Sequence, residues 1–315
     1  MTYPWVTAVK ILRFDDDNIG ILKNGDKVVD VSEVVSHRDL KGAQRAIEEV
    51  ISNFDDCRDD IERIVGREEG VPLDSVQLLS PIPRPSKCLG AFLNYVDMPG
   101  RSLDNLPLEF FYMDPALLGP GGTIELVEIP EIIEFQPEAE LAFVIGKVAK
   151  NVSVNEAMDY VFGYVPFFDI SVRGITRYTR FLTKGQASHG PCGPWVTTKD
   201  EVPDPYKLNV KSWVNGELAQ NYNTEYMAHK ISAQVAWASR FVQLEPGDVI
   251  ATGTYHVGRK PIKDGDHLEI EIEGMGKTGF HAKGFSPTRK ASPLSAPSGP
   301  KPSPGPADLD TITRI

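Results

Sequence analysis

FQPEAELAFVIG, residues 135–146, sets Glu138 and Glu140 inside an otherwise apolar run. Strand interiors are depleted in Glu, and a buried charge is costly unless it is paired or ligates a metal. Side chains alternate across a strand, so residues two apart share a face. Glu138 and Glu140 therefore point one way, while Leu141, Phe143 and Ile145 point the other way, into a core. Two like charges side by side push one pKa upward. A divalent cation removes that penalty. Mg²⁺ takes oxygen ligands and keeps positions for water or substrate oxygens. Spacing alone leaves a second reading open, a polar edge strand with both Glu in water.

A second charged strand follows in GYVPFFDISVRG, residues 163–174, where Asp169 ends an apolar run and Arg173 lies four residues on. An Asp leaving a core strand beside an Arg is a site candidate. The alternative is a turn-forming Asp with a surface Arg.

Around these strands the chain reads as α+β and mainly β. Residues 6–14, 19–23 and 27–31 are rich in β-branched side chains, with the tight-turn pair Asn24-Gly25 between the last two. Ile47, Val50, Ile51, Phe54, Ile61 and Ile64 then follow helical spacing. SPIPRPSK, residues 80–87, interrupts regular structure with three prolines. This predicts a small N-terminal α/β domain over 1–80. Residues 81–283 alternate short apolar runs with Gly and Pro, the pattern of an antiparallel or mixed, curled or barrel-like β domain. Two helices interrupt it. One lies near 155–160, capped by Ser153 with Glu156 three residues on. The other runs over about 224–242. From 284 to 315 the chain is rich in Pro, Ser and Ala and reads as a disordered tail.

The formal net charge of −11 leaves no basic field for nucleic acid or an anionic membrane. No apolar run approaches the roughly 20 residues of a membrane helix, and the first residues lack the pattern of a secretion signal. Cys57, Cys88 and Cys192 have no metal-like spacing and fit free thiols in a reducing cytoplasm. The acidic balance reads as the ordinary surface of a soluble protein and points to no partner.

Taken in order, SPIPRPSKCLGAFLNY, ALLGPGGTIEL, PEAELAFVIGK, GYVPFFDISVRG, GPWVTTKDEVPDP, WVNGEL, LEPGDVIATGT and KDGDHLEIEIEGMG resemble the fumarylacetoacetate hydrolase family over roughly residues 80–283. The resemblance implies that Glu138, Glu140 and Asp169 hold a divalent metal, usually Mg²⁺, with Mn²⁺ or Ca²⁺ as alternatives. It implies cleavage of a carbon–carbon bond in a 1,3-dicarbonyl, acylpyruvate- or diketone-like compound, the metal withdrawing charge as an enolate develops. Decarboxylation or keto–enol tautomerisation of an oxo acid is the alternative, and a non-catalytic ligand-binding homologue the third reading. Tyr95, Arg173, Thr254 and His256 become substrate contacts, and Lys184 a fixed cation for the enolate or a substrate carboxylate. A homodimer is also implied.

The rim departs from the family pattern. Its water-activating His falls on Met98 and the accompanying Glu on Arg101. Met113, Thr176, Ala187 and Tyr255 replace its usual Lys, Gln, Asp and Pro. Asp97, His189 and His256 are then the candidates for the base. The less polar Met98, Met113 and Tyr255 predict a pocket that prefers an apolar substrate.

Overall fold

The computed structural model of this chain describes residues 9–36, 42–175 and 180–286. The start of the first predicted strand, Thr176 and residues 287–315 of the tail fall outside them.

The N-terminal segment contains strands β1 (Lys10–Phe14), β2 (Asn18–Lys23) and β3 (Lys27–Asp30) and helices α1 (Glu33–Ser36), α2 (Ala43–Ser52) and α3 (Phe54–Arg67). The short strands β4 (Val71–Pro72) and β5 (Leu78–Leu79) follow. The single helix expected over 47–64 is two helices. The Asn53 N–H still reaches the Glu49 carbonyl, while the Asn53 carbonyl accepts from Asp56 and Cys57. The residue thus ends one helix and opens the next.

Beyond the proline-rich stretch come β6 (Cys88–Ala91), β7 (Phe110–Tyr112), β8 (Thr123–Leu126), β9 (Glu134–Ile145) and β10 (Val161–Arg173). The short helix α4 (Phe181–Lys184) leads to β11 (Val196–Thr198), β12 (Asn209–Val214) and β13 (Glu217–Asn223). Helix α5 (Ile231–Phe241) and strands β14 (Val249–Ala251), β15 (His267–Ile272) and β16 (Gly276–Gly284) complete the fold. The helix expected over 155–160 is a 3-10 turn at Ala157–Tyr160. The later helix starts at Ile231 rather than near 224, because the preceding residues pair elsewhere. Met227 bridges Tyr95, and the Ala228 N–H donates to the Asn94 carbonyl. Gly284 closes β16 and Phe285 packs edge-on against Phe135, so the compact fold extends to this point.

The strands form two mixed sheets. One has the order β4-β3-β2-β1-β11-β10-β9-β14-β6-β7, with β5 beside β1. The other has the order β13-β12-β15-β16-β8. Neither closes into a barrel. The N-terminal strands belong to the larger sheet, because β1 pairs antiparallel with β11. Long β9 lies near the middle of that sheet and is buried along most of its length. Ala139, Leu141, Phe143 and Ile145 face the core shared with the smaller sheet. Ala142 and Val144 face a second core, built with Ile47, Val50 and Ile61 of the N-terminal helices. Apolar packing on both faces of the strand holds its two glutamates in place.

Asp248 fastens the start of β6 to β14. Its fully buried carboxylate accepts from the Ser86 hydroxyl, the Lys87 N–H and the Glu245 N–H, each at 2.7 Å. Asp248→Ala strands these donors, and the expected cost is about 3 kcal/mol. Urea unfolding checks it, and a loss below about 0.5 kcal/mol would contradict this role.

Candidate active site

Strands β9 and β10 pair antiparallel with Asp169 directly opposite Glu138 and Phe167 opposite Glu140. Glu140 lies two residues along the same face, so register brings three carboxylates together. Their ligand atoms all lie within 4.8 Å of one another, and all three residues are buried. They line a cleft of about 360 Å³.

Cations surround Glu138. Lys184 Nζ donates to Glu138 at 2.6 Å and to Asp169 at 2.5 Å, Arg173 donates to Glu138 at 2.9 Å, and Arg259 donates to the same oxygen of Glu138 as Arg173. Burial pushes the Glu138 carboxyl up, but Lys184, Arg173 and Arg259 outweigh it and hold the group well below the usual carboxylate range. Glu140 has less help. Burial first, then Asp169, raise it well above its ordinary value, against Lys184 and one hydrogen bond from the Gly253 N–H at 2.8 Å. Burial carries Asp169 up to about 6 despite Lys184.

The residues fit a divalent cation. Hard oxygen donors converge on one point, and Oδ1 of Asp169 is buried without a hydrogen-bond partner. An orphaned carboxylate oxygen in a dry site is an acceptor awaiting a ligand. A proton linkage follows. Metal-free Asp169 and Glu140 titrate above the ordinary carboxylate range, so they hold protons that a cation must displace. Affinity for Mn²⁺ is therefore expected to fall as pH drops through about 6, by up to tenfold per pH unit for each proton displaced. Calorimetry in buffers of different ionisation heat measures that release. Constant affinity between pH 5 and 7 would rule it out.

The other expected site residues divide. Arg173, Lys184, Thr254 and His256 line the cleft with the carboxylates. The Thr254 hydroxyl donates to the Ala139 carbonyl and accepts from Gln220. Asp97 sits behind the wall, where its buried carboxylate takes both the backbone N–H of His256 and its ring Nδ1, at 2.8 and 2.5 Å. Arg101 donates to the other Asp97 oxygen.

Tyr95 and His189 are corrected. Tyr95 is fully buried in the core, edge-on to Tyr222, and does not line the cleft. His189 is equally buried. Its carbonyl accepts from Ile170 of β10, its Nε2 lies 3.2 Å from the Glu125 carbonyl, and its ring packs on Phe135. Burial lowers it to about 4, and it also lies away from the cleft, so it is not placed to serve as the base.

Of the three residues expected to make the pocket apolar, one lines the cleft, beside Phe92, Leu93 and Phe111. Met113 is in the core and Tyr255 stacks on Tyr222, which leaves Met98 at the rim. Arg101, Arg180 and Arg259 join Arg173 and Lys184 in the lining. A cleft so rich in fixed cations suits a substrate with carboxylates. Arg180 and Arg259 were not anticipated, since both lie in loops without periodic pattern.

A model of the fumarylacetoacetate (FAA) hydrolase C-terminal region matches residues 87–281. The chain belongs to the fumarylacetoacetate hydrolase family. Within the family it is 32% identical to a maleylpyruvate hydrolase of Aquipseudomonas alcaligenes over 288 residues, 85% of this chain and 97% of the relative. It is 39% identical to a mitochondrial oxaloacetate tautomerase of Xenopus laevis over 64% of this chain and 67% of the relative. The maleylpyruvate hydrolase of Sphingobium sp. SYK-6, solved with manganese(II) and pyruvate, aligns with a TM-score of 0.78 at 33% identity. That alignment covers 87% of this chain and 98% of the other.

Proposed function

We propose that this chain is a divalent-metal-dependent hydrolase that cleaves the carbon–carbon bond of an acylpyruvate-type 1,3-dicarbonyl acid. One observation carries the reading. Three buried carboxylates converge on a cleft beside Lys184 and are ringed by arginines. Two maleylpyruvate hydrolases that match over nearly their whole length support it.

A cation held by Glu138, Glu140 and Asp169 would supply Lewis acidity toward a chelating 2-oxo acid and stabilise charge as its enol form develops. Mg²⁺ or Mn²⁺ suits the all-oxygen donor set. Lys184 and Arg173 hold Glu138 ionised. Gly253 fixes Glu140 through its N–H. The outer arginines bind and orient the substrate carboxylates, a task for which the planar guanidinium is matched. Residues 81–283 form the catalytic unit of this proposal, with 1–80 as a smaller N-terminal unit, and the active species is a cytoplasmic homodimer engaged in catabolism. Cys57, Cys88 and Cys192 are buried and form no disulfide, in keeping with a reducing compartment. Among the described residues no helix is long and apolar enough to cross a membrane.

A second reading is enol–keto tautomerisation of a small oxo acid such as oxaloacetate. It draws on the same carboxylates and is favoured by Met98, which has no group to activate water.

The test incubates the protein with acylpyruvates, apolar 1,3-diketones and oxaloacetate, with Mg²⁺, Mn²⁺ or chelator, in ¹⁸O-labelled water. Loss of enol absorbance and product masses are followed. Metal-dependent cleavage of the acylpyruvate with label in the released acid is expected. Interconversion of oxaloacetate without any cleavage would move the tautomerase reading to the front.

A further inference from the structure

We propose that His256, held by Asp97, is the general base that activates water in this site, a role that rests on the hydrolase reading above. Among the described cleft-lining residues, Glu138, Glu140, Asp169 and His256 are the proton acceptors beside the cationic Lys184 and arginines. The three carboxylates are committed as ligands. His256 is what remains.

Its geometry suits the task. The Asp97 side chain is fully buried, and an ionised carboxylate only accepts. Nδ1 lies 2.5 Å from it and 3.3 Å from the Arg101 guanidinium, and the shorter contact with the carboxylate places the hydrogen on Nδ1. That fixes the tautomer and leaves the lone pair on Nε2, the nitrogen turned away from Asp97. The pose is also tied through the main chain. The His256 N–H donates to the same Asp97 oxygen, and the His256 carbonyl accepts from Arg259 Nε at 3.0 Å. Burial pushes the Asp97 carboxyl up, but the His256 hydrogen bonds, with Arg101 on the other oxygen, outweigh it and hold the group below its ordinary value. Asp97 does not line the cleft, so it acts through the ring as a positioning residue.

In the step, Nε2 takes a proton from water, and the water oxygen bonds to the distal carbonyl carbon of the acylpyruvate. The tetrahedral adduct collapses and the bond between that carbon and its neighbour breaks. The electron pair passes to the 2-oxo acid fragment as its enolate. The imidazolium returns its proton to the carbon of that fragment, which leaves as a 2-oxo acid. The acyl fragment leaves as a carboxylic acid that ionises. This placement differs from the base expected at position 98, where Met98 is 47% exposed at the rim.

The experiment compares wild type, His256→Ala and Asp97→Asn on an acylpyruvate, with Mn²⁺ binding measured in parallel. His256→Ala is expected to lower kcat by about 10²–10⁴-fold, with KM and Mn²⁺ affinity nearly unchanged. Added imidazole should restore part of the rate, which a structural role would not allow. Asp97→Asn keeps shape but removes the negative charge that stabilises the imidazolium formed when Nε2 takes the proton. It is expected to lower kcat about 10²-fold at similar KM. A His256→Ala variant within about threefold of wild type, or one whose loss follows lost Mn²⁺ binding without imidazole rescue, overturns the assignment. A wild type that interconverts oxaloacetate but cleaves no acylpyruvate overturns the hydrolase reading itself, and the water-activating role falls with it.

Discussion

Glu140→Gln abolishes measurable Mn²⁺ binding and lowers turnover by about 10³-fold or more, the equivalent of the several kcal/mol a Lewis acid supplies. The same change is expected to leave the metal-free protein as stable as before, or more so. Burial and the neighbouring Asp169 already disfavour the Glu140 carboxylate, and a neutral amide of the same shape ends that conflict. The Gly253 N–H keeps an acceptor in the amide oxygen. Thermal unfolding with chelator and with Mn²⁺ reads both halves. Wild type should gain in melting temperature on adding Mn²⁺, and the variant should not. A variant that binds Mn²⁺ like wild type would remove Glu140 from the ligand set, and a large loss of metal-free stability would show that its charge is structural.

Lys184→Met acts in the opposite direction on the empty protein. Lys184 pairs with Glu138 and Asp169 at once, and its side chain is 7% exposed. Removing one partner of a buried ion pair leaves charge uncompensated, at a cost of about 3–5 kcal/mol. The penalty is expected in full with chelator and to shrink with Mn²⁺, which replaces the lost positive charge. Denaturant unfolding under both conditions measures it. Equal loss with and without the ion would mean that Lys184 supports packing against Phe111, which lies 5.3 Å from its ammonium, rather than the carboxylates.

The carboxylates were readable in the chain because strand geometry is local. An alternation of period two places Glu138 and Glu140 on one face with no knowledge of the fold, and Asp169 sits on the next long apolar strand. What the alternation cannot supply is register, and the pairing of Asp169 with Glu138 depends on it. Contacts distant in sequence were less legible still. The bond between β1 and β11 joins Ile11 to Val196, and no local pattern announces that a segment set apart by three prolines shares a sheet with the catalytic strands. The helix expected from about 224 starts later, because Met227 pairs with Tyr95 instead. The loop arginines have no period to betray them. His189 and Tyr95 stood near motif residues in the chain, yet the backbone turns both side chains into the core, and burial decided against them.

The loop after β14 concentrates much of the site in seven consecutive residues. Gly253 donates to Glu140, Thr254 and His256 line the cleft, and Arg259 grips Glu138. The metal cradle, by contrast, is fixed in two long strands with apolar packing on either side. Cradle and loop meet at two points, Gly253 on Glu140 and Arg259 on Glu138, and the positions between them are free of that duty. A library confined to positions 254–258 varies the proton-transferring and substrate-facing groups while the Arg259 pair with Glu138 and the three carboxylates stay as they are.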